Sequence, residues 1–529
     1  MLASLYTAPR STSVAGGENY SFDSMATISP DKDTILSHSK TITVDILNSC
    51  TMNPSSTLQL GNLQLNDIEL PGIICNEQGQ IISATAEGLL AKLLPTRAYC
   101  PSSQFIFTFL ANMRTFITAD ELLQKLLQHC MFELHSDLQN FKKEERAVLF
   151  DNVYVICNEW VTQIPYDFSQ RKMRDRLQEL LNLSAFDSKS KEKISDLMEK
   201  LKTNLDRANK YTNAIMSLEQ AVEDPPQTSE QICGIMKMTL EPLVVAQQLT
   251  HIELERLSVI GVDELIQALS YGDMDKLDNG QPTAVVTSAD RDFNEAPKNT
   301  VSSSIRFYIS WFNQLTAFIA TEIIRHSRKR YRVKAIEYFI DVAKECINIG
   351  NFNSMMAIVA ALSLPAIARL KKTWIRVEKS KLEILQHQLN PSGNFISYRA
   401  TLKAAVWRSE NAKTKKEMMI IPFFALLLKD LFLVHQRSKL ELPNNRLNYG
   451  MFSQFAEQIG SLNSWRKRDC PFKKYNSILQ YLLLAPNYSE KTMLLLSYDY
   501  EIAEQGIDKA QYKKLKDETK KDSAASNDK

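Results

Sequence analysis

The chain has 529 residues, of which 44% are hydrophobic and 23% are charged, and these proportions are typical of a globular protein. Its length exceeds that of one ordinary domain and predicts two or three. The net charge of +2, from 63 basic and 61 acidic residues, gives no overall field for a polyanion and argues against nucleic-acid binding. The eight cysteines are dispersed and form no Cys/His cluster, so we predict no metal site.

The N-terminal part differs in composition from the rest of the chain. Residues 1–75 are rich in Ser, Thr and Asn, and the segments KTITVDILNS and STLQLGNLQL alternate in part as short strands do. We predict residues 1–75 to be an N-terminal extension that is partly irregular. Its first residues contain no apolar run of signal-peptide length, so classical secretion is not indicated.

Helical periodicity begins at Glu87 and defines a first domain over residues 76–225. Thr118 is a predicted N-cap for a helix with a leucine stripe. The segment AVEDPPQTSE, residues 221–230, has two prolines and is the predicted linker. The predicted helices of this domain lie near 87–94, 103–116, 119–134, 143–163, 169–183 and 191–219.

A second, larger helical domain is predicted over residues 226–510, with a long polar loop at 270–304. The segment NFNSMMAIVAALSLPAIARLKKTW, residues 351–374, begins as an almost entirely apolar helix and is redirected at Pro365. The longest apolar segment, residues 418–434, is shorter than the roughly 20 residues of a spanning helix and predicts a buried or partner-binding helix. The charged tail, residues 511–529, has no apolar face and is predicted to be disordered.

Several of these segments together resemble guanine-nucleotide exchange factors for Ras-family small GTPases. SQFIFTFLANMRTFITADELLQKL and VYVICNEWVTQIPYDF resemble the N-terminal Ras exchanger motif. EPLVVAQQLTHIELERLSVIGVDELI, RVKAIEYFIDVAKE, the NFN segment and NPSGNFISYRATL resemble successive blocks of the CDC25-homology catalytic domain. The resemblance covers about Glu87 to Glu501. It implies an all-α fold in which an N-terminal helical Ras exchanger motif domain is followed by a larger helical catalytic domain with a protruding helical hairpin.

Two further segments resemble the arms of that hairpin, IIPFFALLLKDLFLVHQ (420–436) and NRLNYGMFSQFAEQIGSLNSW (445–465). The resemblance implies that the N-terminal domain braces the hairpin and that Phe432 or Leu431 is the apolar side chain inserted beside the nucleotide. Gln436 occupies a position where the family usually has glutamate, and His435 is expected to make a surface contact. The remaining residues that the resemblance assigns to GTPase binding or hairpin support are Asn351, Asn353, Arg369, Asn394, Tyr398, Arg399, Phe423 and Asp430.

The implied activity is stimulation of GDP release from a Ras-family small GTPase, bound in its GDP or nucleotide-free form. It involves no covalent chemistry and no cofactor, and the chain contains neither GxxxxGK[ST] nor GxGxxG nor HExxH. Because glutamine at 436 supplies no charge, a catalytically weakened exchange-factor fold that acts as a GTPase-binding or scaffold protein is the alternative.

The expected location is the cytoplasm. Peripheral membrane association through Lys413, Lys415 and Lys416 is an open alternative, as is a solvated loop. The basic cluster at residues 325–334 has two interpretations that stay open. It is either a phosphate-binding or nuclear-import patch or the solvated start of a helix. Delivery into a host cytosol by an intracellular bacterium is a further alternative for the source, and the oligomeric state is left open.

Overall fold

The computed structural model describes residues 72–135, 143–185, 187–223, 234–270, 303–440, 442–502, 506, 509–510 and 512–517. The strands predicted before residue 66, the linker after residue 223 and the polar loop at 271–302 lie outside these residues.

The N-terminal half opens with a small antiparallel β-hairpin, formed by β1 (Ile73–Cys75) and β2 (Ile81–Ala84), with Ile73 opposite Ala84. The two paired strands lie on either side of the predicted domain boundary at 75/76. Each helix predicted from periodicity in this half is present, with ends displaced by only a few residues. The helices are α1 (Ala86–Leu93), α2 (Ser103–Asn112), α3 (Ala119–His135), α4 (Lys143–Gln163), α5 (Arg171–Ser184) and α6 (Ser188–Glu223), with 3-10 segments at Met113–Thr115 and Pro165–Phe168.

The start of α3 shows why the predicted cap was correct. The Thr118 hydroxyl accepts the Glu121 N–H at 3.3 Å, and the Glu121 carboxylate accepts the Thr118 N–H at 3.0 Å. This reciprocal capping box satisfies two donors that the helix itself leaves unpaired. The Thr118 N–H and the Thr118 hydroxyl, which also donates to the Glu121 carboxylate at 2.9 Å, lower the pKa of Glu121. One turn later Leu122 and Leu126 are fully buried, so the cap sets the helix in register with the core.

The C-terminal half is also helical, and its centre is the packing of α8, α10, α11 and α12. Every residue of α12 is buried, as the apolar sequence predicted, and Pro365 opens the next short helix. The helices are α7 (Ile235–Met238), α8 (Pro242–Leu257), α9 (Val262–Ser270), α10 (Ser303–Ile324), α11 (Lys329–Ile349), α12 (Phe352–Leu362), α13 (Pro365–Ala368), α14 (Lys371–Trp374), α15 (Ser380–Gln388), α16 (Ser392–Glu410), α17 (Phe424–Ser438), α18 (Tyr449–Arg466), α19 (Asn476–Leu484) and α20 (Glu490–Tyr500).

Helices α17 and α18 pack on each other and form the helical hairpin, joined by residues 439–448. The N-terminal half braces this hairpin, as expected. The Tyr449 ring stacks on Phe105 of α2 at 5.9 Å between centroids, and the Asn112 amide donates to the Phe452 carbonyl at 3.1 Å. Leu447, in the connection, exchanges backbone hydrogen bonds of 2.8 and 3.2 Å with Ala84 of β2. One hydrophobic core therefore runs from the N-terminal helices into the hairpin.

Three expectations need correction or qualification. The apolar segment 418–434 is not one helix, because residues up to 423 are not helical and Ile421 forms a parallel bridge to Asn351 before α17 begins. The predicted disorder of the tail does not hold for residues 512–517, which are helical, with the Tyr512 hydroxyl donating to Asp499 at 3.0 Å. The all-α prediction is confirmed, with one two-stranded sheet in the part that the structure describes. No described helix is long and apolar enough to cross a membrane.

Candidate functional site

The base of the hairpin is held by residues from two other helices. The cap of α17, Phe423, makes no side-chain hydrogen bond to the helix start. Instead, the Tyr398 hydroxyl accepts the Phe423 N–H at 2.8 Å, and the Asn353 side-chain oxygen accepts the Phe424 N–H at 3.3 Å. These bonds satisfy donors that a helix start leaves unpaired. Tyr398 and Asn353 thus fix where α17 begins.

Asn353 also connects the hairpin to a buried carboxylate. Its side-chain N–H donates to Glu253 at 3.0 Å, and Glu253 accepts three more hydrogen bonds, from Tyr308 at 2.6 Å, Ser354 at 2.8 Å and Trp311 at 3.2 Å. Burial raises the pKa of Glu253, and the four donors oppose that rise. A buried carboxylate needs such partners, because leaving its oxygens unpaired costs several kcal/mol.

The role of Glu253 was not predicted from the sequence. A charged residue inside the buried face of α8 is the signal that would have found this network.

Asn351 ties the start of α12 to α8, next to the extended segment that precedes the hairpin. Its side-chain oxygen accepts the Ser354 N–H at 3.0 Å, and its amide donates to Thr250 at 3.3 Å. Next to it, the Ile421 N–H donates to the Gly350 carbonyl at 2.9 Å. Gly350 has a φ of +100°, and a Cβ there would lie 2.2 Å from the Met419 carbonyl oxygen. Only glycine permits this close approach.

A two-pronged ion pair joins α16 to the middle of α17. The Arg399 Nη1 and Nη2 atoms lie 2.7 and 2.8 Å from the two carboxylate oxygens of Asp430. Such a planar, bidentate arrangement fixes direction as well as distance. Together with Tyr398, it explains why the predicted supports on α16 meet α17 over about two turns.

Two of the predicted site residues do not directly support the hairpin. Arg369 donates to the Ser497 carbonyl at 2.6 Å and to the Glu501 carbonyl at 2.9 Å, so it holds α20 in place. The exposed Asn394 has a φ of +56°, at the irregular start of α16, and its carbonyl accepts the Arg399 Nε at 2.7 Å. Asn394 therefore remains only a predicted GTPase contact, with an indirect link to the hairpin.

The two faces of α17 separate core residues from residues that are available to a partner. The buried face includes Phe424, Leu428, Leu431, His435 and Ser438, at spacings of three and four. Leu431 is fully buried, and its side chain lies in the core. The proposal of Leu431 as the inserted side chain is therefore inconsistent with this conformation.

The opposite face of α17 and its continuation form what we call the α17 strip, made of Lys429, Phe432, Leu433, Gln436 and Leu440. Phe432 is half-buried and packs partly on the core, whereas Leu433 is 41% exposed and Leu440 is 66% exposed. Gln436 is exposed. Helical spacing would have identified Leu433 and Leu440 had the buried face been known.

His435 is buried between the two arms of the hairpin and does not make the expected surface contact. It is 2% exposed, and its ring centroid lies 5.3 Å from that of Phe455 on α18. Neither ring nitrogen has a hydrogen-bond partner among the described residues. Burial, with a smaller effect of Lys439, lowers the pKa of His435 to about 4. The imidazole is therefore neutral at physiological pH.

The chemistry of the hairpin is that of a binding surface. Within the described residues, no group of three or more His, Cys, Asp or Glu side chains is arranged to hold a metal ion. What the arrangement offers is a partly apolar strip on a helix whose start, middle and connection are each fixed by other elements. A rigid strip of this kind can bind a partner in one geometry with little ordering cost.

Comparison with known proteins gives matches to both halves of the chain. The family model of the RasGEF domain matches residues 244–453, and that of the RasGEF N-terminal motif matches residues 80–180.

Three similar proteins come from vertebrates. Ras-GEF domain-containing family member 1B-A of Danio rerio is 37% identical over 445 residues, covering 82% of this chain and 83% of the relative. Family member 1B of Homo sapiens is 35% identical over 445 residues, covering 82% and 91%. Family member 1A of Homo sapiens is 34% identical over 458 residues, covering 84% and 91%. These relatives give no support to the bacterial alternative.

Proposed function

The chain belongs to the Ras-GEF domain-containing family, and from this premise we propose that it accelerates GDP release from a Ras-family small GTPase by placing the α17–α18 hairpin beside the nucleotide. The RasGEF domain implies a small GTPase partner in general. The observation that supports the finer proposal is the α17 strip, which is partly exposed and apolar on an otherwise fixed helix.

The physical requirement is differential binding. A GTPase that holds its nucleotide with picomolar affinity has about 16 kcal/mol of binding free energy to be offset. An exchange factor forms no covalent bond and acts by binding the nucleotide-free GTPase more tightly than the loaded one. The hairpin is held at its base by Asn353 and Tyr398 and at its connection by Ala84. It can therefore displace parts of the GTPase while keeping its own conformation.

Within the strip, we assign the inserted apolar side chain to Phe432 and its exposed neighbour Leu433. Gln436 lies one turn after Phe432 and can donate and accept hydrogen bonds at the vacated phosphate or metal region. Asn351, Asn353, Tyr398, Phe423, Arg399 and Asp430 are proposed to act through the hairpin, by holding it.

One observation favours a second candidate, a weakened exchange-factor fold that binds a GTPase with little catalysis. Between Asp430 and Glu441 the chain has no acidic residue, and the position before Gln436 is a buried, neutral histidine. The strip therefore supplies no negative charge to compete with phosphate for a lysine.

The test is release of a fluorescent GDP analogue from a panel of Ras, Rap, Ral, Rab, Rho and Arf GTPases, measured with and without the full chain. Acceleration that is confined to Ras-family members is the expected result. Binding to a nucleotide-free GTPase with no acceleration on any member would favour the second candidate, and neither binding nor acceleration would refute both.

Gln436→Glu separates the two candidates further. If the missing charge attenuates activity, the variant raises the release rate at least tenfold on the same GTPase. An unchanged rate would contradict the assigned role of position 436. Arg437→Gln is the matched control, because it makes the charge more negative by the same single unit at the neighbouring exposed position.

A further inference from the structure

The surface around the C-terminal end of α16 carries an exposed tryptophan beside a cluster of lysines. Of the five tryptophans in the chain, Trp160 and Trp311 are fully buried, whereas Trp407 is 64% exposed. A tryptophan with this much exposure is unusual, because burial of its ring is strongly favourable. Trp407 lies in the last turn of α16, where its carbonyl accepts the Asn411 side-chain N–H at 2.8 Å.

The chain after α16 folds back beside this helix end. The Ser409 hydroxyl donates to the Met418 carbonyl at 3.3 Å, which brings the two ends of the turn together. The Glu417 carboxylate accepts the backbone N–H groups of Lys413 and Thr414 at 3.0 and 3.1 Å. Those bonds lower the pKa of Glu417, so its charge is directed into the turn. The turn therefore has a defined shape.

The side chains that this turn presents are basic. Lys403, Lys413, Lys415 and Lys416 are exposed, and Met418 is 38% exposed. Glu410 and Glu417 are the acidic residues in the same stretch, and the Glu417 carboxylate is hydrogen-bonded to backbone N–H groups of the turn. We call the set formed by Trp407, Met418 and these four lysines the α16 tip.

We propose that the α16 tip is a docking surface for an anionic lipid membrane. Lysine clusters are attracted to anionic headgroups, and an exposed tryptophan ring is suited to the level of the headgroups. Tryptophan and methionine are also enriched at protein–protein interfaces, but lysine is depleted there. Because four of the six residues of the tip are lysines, a protein partner fits this surface less well. The charge of the tip, rather than an apolar groove, identifies the partner.

The α16 tip is separate from the hairpin contacts. The Arg399–Asp430 ion pair lies near the N-terminal end of α16, and eight residues separate Arg399 from Trp407, which is about 12 Å along a helix. Membrane docking through the tip therefore uses side chains that are distinct from those that fix α17. The proposal does not depend on exchange activity.

The experiment measures binding of the full chain to vesicles of phosphatidylcholine with and without 30% phosphatidylserine, by co-sedimentation and by tryptophan emission. We expect binding to the anionic vesicles only, with a blue shift of emission that Trp407→Phe removes. Changing Lys413, Lys415 and Lys416 together to alanine is expected to weaken binding by about a hundredfold, from about fivefold per lysine. Trp407→Ala is expected to weaken it by about tenfold.

The matched controls are exposed residues elsewhere on the surface. The triple change of Lys189, Lys191 and Lys202 to alanine removes the same charge from α6, and Ile375→Ala removes an apolar side chain that is 78% exposed. Both control variants are expected to bind anionic vesicles as the unmodified chain does. Absence of binding, equal binding to uncharged vesicles, or equal loss in the tip and control variants would overturn the proposal.

Discussion

The buried imidazole of His435 makes the stability of the hairpin depend on pH in a direction that can be worked out. In the folded chain its pKa is about 4, because burial disfavours the charged form and Lys439 adds a smaller effect. In the unfolded chain it is about 6.5. Between these values the unfolded state binds more protons, so the free energy of unfolding falls as pH falls. The part of the free energy of unfolding that depends on a neutral His435 is fully present above pH 6.5 and is lost progressively as the pH falls toward 4.

The two pKa values fix the size of the effect. Moving from pH 7 to pH 5 is expected to remove about 2 kcal/mol of stability through this one residue. His435→Leu abolishes that part of the loss, and it also removes a buried ring whose nitrogens have no partner among the described residues. We therefore expect the variant to be at least as stable as the original chain at pH 7.

The assay is urea unfolding of both proteins at pH 7 and pH 5, and the quantity compared is the change in free energy between the two pH values. Other titrating groups contribute equally to this change in the two proteins. One of them is Glu264, whose pKa burial raises to about 7, and it acts in the opposite direction, since its folded form prefers the proton. A pH-dependent loss that is equal in the two proteins would refute the account of His435.

Three further predictions test how the hairpin and the start of α12 are held in place. Asn353→Ala leaves Glu253 without one donor and the Phe424 N–H without its acceptor. It is expected to lower the free energy of unfolding in urea by about 3 kcal/mol. A loss below about 1 kcal/mol would contradict the bridging role of Asn353. Alanine changes at Arg399 and Asp430 should show a coupling of about 1 kcal/mol in a double-mutant cycle, smaller in high salt, and additive effects would count against the ion pair. Gly350→Ala is expected to lower the free energy of thermal unfolding by more than about 2 kcal/mol, because Gly350 has a φ of +100° and lies close to the Met419 carbonyl. A variant of nearly unchanged stability would contradict this expectation.

Periodicity and capping predicted most of the helices, because local sequence decides them. Thr118 and Glu121 form a complete capping box, which is recognisable in the sequence. The helix α12 is apolar on all sides, and this pattern predicted its burial. The strands β1 and β2 gave no such signal. They are three and four residues long and are stabilised by pairing with each other and, for Ala84, with Leu447, far along the chain.

The candidate site residues were chosen by resemblance more than by pattern. Tyr398, Asn353 and Arg399 contact α17, and their assignment to GTPase binding or hairpin support stays a prediction. Which face of α17 is exposed depends on packing against α18 and the N-terminal helices. That packing buries Leu431 and exposes Leu433, a choice that neighbouring leucines in a sequence cannot reveal. Glu253 was missed because its partners come from two other helices, α10 and α12, far from it in the sequence.

The most direct test of the account measures the rate at which a responsive GTPase releases a fluorescent GDP analogue in the presence of the original chain or Phe432→Ala. Circular dichroism checks that the variant is folded, and Leu484→Ala, which truncates a leucine 70% exposed on α19, is the control. The account predicts a rate at least tenfold lower for Phe432→Ala and an unchanged rate for the control. Full release activity in a folded Phe432→Ala variant would contradict the assignment of the α17 strip as the surface that displaces the nucleotide.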